Sequence, residues 1–154
     1  KSMRVGDRRL IGVYRSFERH DCEFDESHAV RLNDWDTDDA YEETADRIDR
    51  GEFPFDGVFC MTDAVAFGAM RAMQERGLRI PRDVAVVGFD GVREGRYSMP
   101  SLSTIAVNID EIASKSVEIL CERIEEGRYG APVMPKHVTV GYEVVVRESS
   151  NRSR

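Results

Sequence analysis

A strand–helix–strand pattern spans residues 56–91, DGVFCMTDAVAFGAMRAMQERGLRIPRDVAVVGFDG. Its first apolar strand stops at Thr62 and Asp63, and its second stops at Asp90. Parallel strands joined by a helix share one sheet, and open sheets of this kind bind ligands just outside the carboxyl ends of their strands. The pattern therefore predicts a binding crevice at this edge of the sheet rather than a catalytic pocket.

Strand and helix patterns alternate along the 154 residues. Alternation of this kind predicts an α/β fold, with a mostly parallel sheet and helices on both of its faces. Cap and breaker residues mark the ends of the helices. We expect helices over about 7–20, 37–50, 63–76 and 109–126, and strands near 27–32, 58–61, 84–87, 102–107 and 138–146.

Charge and cysteine content narrow the possible functions. The net charge of −7 argues against direct binding to DNA, because such binding depends on Lys and Arg neutralising phosphates. Cys22, Cys60 and Cys121 are odd in number and lack CxxC spacing, which favours the reducing cytoplasm over a secreted disulfide scaffold. No signal-peptide pattern follows Lys1, but the chain does not begin at a natural start and is expected to be a fragment.

Catalytic and metal-binding motifs are missing from the sequence. It contains no GxSxG, GxxxxGK[ST] or HExxH motif, so we expect no enzyme activity and no cofactor. Asp34, Asp36 and Asp38 have the spacing of the first ligands of a calcium loop. Asp39 then replaces the required glycine and Ala45 the bidentate glutamate, so an acidic helix start explains this cluster better than a metal site.

Three segments carry a resemblance to a known family: TDAVAFGAMRAMQERGLRIPRDVAVVGFD, PSLSTI and YEVVVRES, in that order. Together they resemble the effector-sensing domain of LacI/GalR-type transcriptional repressors, over about residues 9–148. The resemblance implies that 1–154 is the carboxyl-terminal subdomain of a type I periplasmic-binding-protein-like domain. In the family a DNA-binding headpiece and a first sensing subdomain come earlier in the chain, and a crossover helix, here about 108–127, packs on that first subdomain. The apolar stripe of this helix is therefore expected to lack its usual cover.

Asp90 and Arg9 are the first candidates for ligand contact. A carboxylate at a strand end can accept hydrogen bonds from the adjacent hydroxyls of a sugar or nucleoside, although Asp90 and Gly91 also form a common turn pair. Arg9 lies in the first turn of its helix, where a cation opposes the helix dipole. In the family the arginine of an Arg-x-x-Gly motif, here 9–12, reaches the effector, and a carboxylate at the position of Asp90 contacts it. The alternative for Arg9 is a solvated surface residue, like Arg8.

Trp35 and Thr62 are weaker candidates. The ring of Trp35 can stack on the apolar face of a sugar, and the matching family position does so, but hinge or core packing is the alternative. Thr62 stands where the family usually has an effector-contacting asparagine, and a hydroxyl has a shorter reach and fewer donors than an amide. Thr62 can also act simply as a helix cap, and Asp63 is expected to be a cap as well.

The family forms homodimers through this subdomain. The resemblance therefore implies a dimer surface that includes the loop 91–99 and one face of the central helix, with Met70, Met73, Tyr97 and Met99. Methionines suit an adaptable apolar contact, although core packing is the alternative for Met70 and Met73.

The leading hypothesis is therefore the effector-binding and dimerisation domain of a LacI-type regulator. It would act in the cytoplasm and reach operator DNA only through the headpiece. The alternative is a periplasmic sugar-binding protein of an ABC transporter, which shares the fold and a similar Gly-Phe-Asp-Gly strand end. The segments IPRDV, PSLSTI and VVVRES favour the regulator.

Overall fold

A computed structural model describes residues 5–128 and 135–152. Its sheet has four strands in the order β1-β2-β3-β4; the first three are parallel, and β4 is antiparallel to β3. The strands are β1 (Gly57–Phe59), β2 (Ala85–Asp90), β3 (Ser103–Val107) and β4 (Tyr142–Val145). The helices are α1 (Val5–Arg19), α2 (Thr37–Asp49), α3 (Asp63–Glu75) and α4 (Ile109–Arg128). This architecture confirms the predicted mostly parallel α/β class.

The helices start and stop where local sequence signals place them. The side chain of Asp36 caps α2 by accepting a hydrogen bond from the amide of Asp39 at 2.8 Å. Gly77 has a φ of 79° just past α3, and the amide of Leu78 donates to the Met73 carbonyl at 3.0 Å, which is a Schellman ending. Asn108 caps α4 through the amide of Glu111 at 3.0 Å.

The strand expected near residues 27–32 is wrong. Asp25 accepts a hydrogen bond from the amide of Ser27 at 2.8 Å and caps a short 3-10 helix, Glu26–His28, after which residues 29–32 form no strand. The ring of His28 then packs edge-on against Phe55, with 5.4 Å between the centroids. A side-chain cap and an aromatic contact therefore outweigh the strand propensity of this segment.

The core lies between α3 and the sheet, with α2 packed on the other side of α3. Gly68 makes the contact of α3 with α2 close, since a Cβ at this position would lie 2.0 Å from the carbonyl oxygen of Thr37. The hydroxyl of Thr37 also donates to the Ala64 carbonyl at 3.2 Å. The starts of α2 and α3 are thereby held side by side near the carboxyl ends of the strands.

The structure corrects the expectation that Met70 and Met73 lie in a dimer interface. Their exposed fractions are 3% and 0%, and both belong to the core cluster formed with Val84, Val86 and Leu102. Both lie on the apolar stripe of α3 that faces the sheet, so a partner cannot contact them unless the core opens. Core packing is the correct interpretation for these two residues.

The carboxyl-terminal segment occupies the amino-terminal edge of the sheet. Ser149 is fully buried there: its backbone carbonyl accepts from the Val86 amide at 2.8 Å and its hydroxyl donates to the Val86 carbonyl at 2.7 Å. The same hydroxyl accepts from the amide of Ser103 at 2.8 Å. The backbone groups of Val86 and the amide of Ser103 are therefore hydrogen-bonded within the chain at this edge.

Helix α4 exposes its apolar stripe, as the sequence suggests. No residue of α4 is buried, and about half or more of the side chain is exposed at Ile109, Val117, Leu120 and Ile124. That another subdomain covers this stripe stays a prediction. Among the residues that the structure describes, no helix combines the length and apolarity needed to cross a membrane.

Two methionine substitutions separate core from surface. We expect Met73→Ala to lower the free energy of unfolding by about 2–5 kcal/mol, because it leaves a cavity where the side chain is fully buried. Met99→Ala, at a residue 86% exposed, should change it by no more than about 0.5 kcal/mol. Urea unfolding followed by circular dichroism measures both, and equal losses would contradict the packing described for α3.

Candidate functional site

Arg9 of α1 joins the carboxyl ends of β1 and β2. Its guanidinium donates a hydrogen bond to the carbonyl oxygen of Met61, just beyond β1, and its second terminal nitrogen lies 3.3 Å from Oδ1 of Asp90, the last residue of β2. The same guanidinium carbon lies 3.8 Å from the centroid of the Phe89 ring, within the range of a cation–π contact. One cation therefore meets a carbonyl, a carboxylate and an aromatic ring at the edge where ligands bind in sheets of this type.

Asp90 combines partial burial with continued access to solvent. The side chains of Arg9 and Asp90 are 18% and 34% exposed. Burial is the largest influence on the pKa of Asp90 and raises it; the charge of Arg9 acts in the opposite direction, and the carboxylate of Asp63 raises it further. The ionised Asp90 is thus incompletely compensated within the chain, so hydrogen-bond donors on a ligand would stabilise it.

The backbone at Asp90 is unusual. Its φ is 117°, in a region that residues with a side chain rarely adopt, and Gly91 follows with a φ of 81°. At Gly91 a Cβ would lie 2.6 Å from the Cβ of Ala106 on the neighbouring strand, so no larger residue fits there. Backbone strain of this kind concentrates at functional sites, where the surrounding structure holds it in place.

Asp63 lies beneath this turn and is completely buried. Its Oδ2 accepts hydrogen bonds from the amides of Gly91 and Val92, each at 2.8 Å, and its Oδ1 accepts from the hydroxyl of Thr104 at 2.7 Å. The expectation that Asp63 caps α3 is therefore wrong. Its carboxylate is used by the loop after β2 and by β3, while a neighbour supplies the cap.

That neighbour is Thr62, whose hydroxyl accepts from the amide of Val65 at 3.1 Å. Trp35, 46% exposed, precedes the cap of α2 and so lies on the element docked against the start of α3. Within the described ranges, neither side chain hydrogen-bonds to Arg9 or Asp90. The structure thus brings two of the four ligand candidates into contact and places the other two on adjacent helix starts.

Two acidic side chains at the start of α2 accept hydrogen bonds from backbone amides. Asp36 caps the helix, and Oδ2 of Asp39 accepts from the amide of Asp34 at 2.9 Å. Across residues 5–128 and 135–152, no three acidic, histidine or cysteine side chains are grouped to hold a metal ion.

Burial raises the pKa of the Cys60 thiol to about 12, so this thiol stays protonated at neutral pH and is no nucleophile.

Tyr97 and Met99, predicted to lie in a dimer surface, are 74% and 86% exposed. They follow a second 3-10 helix, Arg93–Arg96, in the loop that leaves Asp90. The side-chain amide of Gln74, near the end of α3, donates to the Met99 carbonyl at 2.6 Å and holds the loop against that helix. The two side chains are therefore presented on an anchored surface.

Sequence reasoning missed three contributors to the site: the carbonyl of Met61, the ring of Phe89 and the buried carboxylate of Asp63. No local pattern signals the first two, because both act through a residue of α1 that is distant in sequence. A signal for Asp63 was present in Gly88 and Gly91, since paired glycines mark places where other atoms approach the backbone closely. A Cβ at Gly88 would lie 2.2 Å from Oδ1 of Asp63.

The chain is similar in sequence to a known domain family and to curated bacterial proteins. Residues 1–150 match the model of the family described as periplasmic binding protein-like domain. The chain is 33% identical over 120 residues to the HTH-type transcriptional repressor MelR of Bacillus subtilis (strain 168), an alignment covering 78% of this chain and 33% of that protein. The chain thus spans about a third of the length of this curated relative.

Solved structures of similar proteins include a LacI-family transcriptional regulator from Sanguibacter keddieii DSM 10542, at 36% identity and a TM-score of 0.88, covering 97% of this chain and 54% of that one. The transcriptional regulator CelR in complex with cellobiose is 25% identical, with a TM-score of 0.80 and coverages of 92% and 42%. The lac repressor dimer bound to operator is 27% identical, with a TM-score of 0.75 and coverages of 92% and 46%.

The strain at Asp90 can be measured by comparing two substitutions. Both Asp90→Gly and Asp90→Ala remove the carboxylate, but glycine accepts the positive φ and alanine does not. We expect Asp90→Gly to be more stable than Asp90→Ala by about 1 kcal/mol in urea unfolding. At exposed Asp38, in the first turn of α2, the order should reverse, because glycine destabilises a helix relative to alanine by about 0.5–1 kcal/mol. The same order at both positions would contradict the strain.

Proposed function

The chain belongs to the periplasmic-binding-protein-like domain family, and we propose that it is the carboxyl-terminal subdomain of the effector-sensing domain of a LacI-type transcriptional regulator. In this proposal 1–154 forms one wall of a ligand crevice, and α4 crosses to the other subdomain. The observation that carries the proposal is the contact between Arg9 and Asp90 at the carboxyl edge of the sheet. The other walls and the DNA-binding part would come from outside the chain, since its net charge of −7 does not suit phosphate contacts.

The proposed effector is a sugar or a nucleoside-like molecule. Asp90 would accept hydrogen bonds from neighbouring hydroxyls, and the N–H groups of Arg9 that Met61 and Asp90 do not use would donate to the ligand. Trp35 would supply an aromatic face for a sugar ring, and Thr62 a hydroxyl at the edge of the site. The related regulator CelR was solved with cellobiose, which supports a carbohydrate.

Regulation would follow from closure of two subdomains on the ligand. A ligand shifts an equilibrium by its difference in affinity for the two states, so the effector must bind the closed form better than the open form. Through Arg9 and Asp90, this chain would contribute part of the difference in affinity between the closed and open forms. It would act in the cytoplasm, where the operator lies, and it would carry out no catalysis.

Homodimerisation is the second part of the proposal, through the surface around Tyr97 and Met99. Large exposed apolar side chains on an anchored loop suit a contact between proteins. The lac repressor, which this chain resembles in fold, was solved as a dimer. The alternative function, a periplasmic sugar-binding protein, is not favoured, because curated relatives such as MelR are transcriptional repressors.

Ligand binding is tested by a thermal-shift screen of sugars and nucleosides. It uses the complete product of the reading frame that encodes the chain, because one wall of the crevice should bind weakly by itself. For a compound that raises the melting temperature, we expect Asp90→Ala and Arg9→Ala each to weaken binding about 10- to 100-fold, since each removes a hydrogen bond to a charged group.

Arg8→Ala is the matched control for Arg9, because Arg8 is an exposed arginine next to it in the sequence. Its affinity for the same compound should equal that of the wild type in isothermal titration. Binding that survives both Arg9→Ala and Asp90→Ala unchanged would refute the site.

The dimer surface is tested by introducing charge. Tyr97→Glu or Met99→Glu should shift the protein from dimer to monomer in sedimentation velocity, because burying an unpaired carboxylate at an interface is unfavourable. Arg15→Glu, at an exposed residue of α1 rather than of α3 or this loop, serves as the control and should leave the mass unchanged. An unaltered mass in both loop variants would sink the assignment of this surface.

A further inference from the structure

We propose that Asp63 is the positioning residue for Asp90: its buried carboxylate holds the turn that aims Asp90 at the ligand. This inference rests on the proposed function, in that Asp90 is taken as the ligand-contacting carboxylate. The geometry of the turn itself does not depend on the identity of the ligand.

Three hydrogen-bond donors converge on Asp63. Two consecutive amides, those of Gly91 and Val92, donate to one oxygen, and the hydroxyl of Thr104 donates to the other. In the part of the chain that the structure describes, no Lys or Arg forms an ion pair with Asp63. A fully buried carboxylate is costly unless hydrogen bonds compensate it, so these three donors and the amino terminus of α3 must stay in place.

The two amides belong to the residues directly after Asp90, whose φ of 117° is unfavourable for any residue with a side chain. Two hydrogen bonds to a charged acceptor can offset that cost, since bonds of this type are stronger than those between neutral groups. Without them the turn should relax, and the Asp90 carboxylate would leave Arg9.

A glycine on the neighbouring strand leaves room for the Asp63 carboxylate. Gly88 has no Cβ where one would lie 2.2 Å from Oδ1 of Asp63, and this glycine is in the middle of β2, where its residue type weakens the strand. Thr104 also accepts from the Gly91 amide at 3.2 Å, so its hydroxyl contacts both the carboxylate and the turn. Three elements, α3, β2 and β3, are thus arranged around one side chain.

Residue-resolved amide hydrogen exchange of the complete protein tests the positioning without a ligand. In Asp63→Ala we expect the amides of Gly91 and Val92 to exchange at least about tenfold faster relative to the core amide of Val86. Asp63→Asn keeps one oxygen for these amides and should restore most of the protection. Met73→Ala is the control, because it lowers overall stability without removing a bond to the turn, and it should not raise exchange at Gly91 and Val92 relative to Val86. An unchanged ratio in Asp63→Ala would overturn the proposal.

A second variant covers the case in which Asp63→Ala does not fold. Thr104→Val removes the hydroxyl bonded to Oδ1 at nearly constant volume. Because this hydroxyl also accepts directly from the Gly91 amide, the readout is Val92, whose exchange should accelerate in Thr104→Val but not in Thr104→Ser. If Thr104→Val leaves the Val92 amide as protected as in the wild type, the proposal fails.

Ligand titration then distinguishes this inference from the proposed function. With a compound from the thermal-shift screen, Asp63→Ala should weaken binding at least about tenfold in the wild-type background but not further in an Asp90→Ala background, because it acts through Asp90. Fully additive losses would contradict the positioning role. If the wild type binds no compound of the panel, the proposed function fails, and the exchange ratio still decides the role of Asp63.

Discussion

The packing of α3 between β2 and α2 is the interaction on which the rest of the structure depends. Burial of one apolar stripe of this helix, from Ala66 to Met73, fixes its direction against the sheet. The amino terminus of α3 is thereby brought to the carboxyl ends of the strands. Gly68 lets the start of α2 pack closely against α3. Apolar packing thus determines where the polar groups of the site can lie.

Those polar groups are arranged in two levels. The buried level is Asp63 with its three donors, so that both of its carboxylate oxygens accept hydrogen bonds inside the protein. The accessible level is Arg9 with Asp90, where capacity remains for a ligand. In the proposed site, the satisfied network below would keep the accessible pair above it preorganised for a ligand.

The two edges of the sheet differ in the same way. At the amino-terminal edge the hydroxyl and backbone of Ser149 hydrogen-bond to Val86 of β2 and Ser103 of β3, so these strand starts are satisfied within the chain. At the carboxyl edge, polar side chains from α1, β2 and α3 lie near one another: Arg9, Asp90 and Asp63. The stripe of α4 and the loop ending at Met99 also expose large apolar side chains, and both suit contacts with further protein.

The sequence by itself determined the α/β class, the starts of α2, α3 and α4, and the choice of Arg9 and Asp90 as candidates, because caps, glycines and apolar periodicity act within a few residues. It did not determine that residues 29–32 lack a strand, that Met70 and Met73 are in the core, or that Asp63 serves the turn after β2 rather than the helix it begins. Most of these features depend on contacts between residues distant in sequence, such as His28 with Phe55 and Asp63 with Gly91. Only the tertiary structure decides such contacts. Packing, rather than local preference, determines which face of a helix meets the sheet and which donors reach a buried carboxylate.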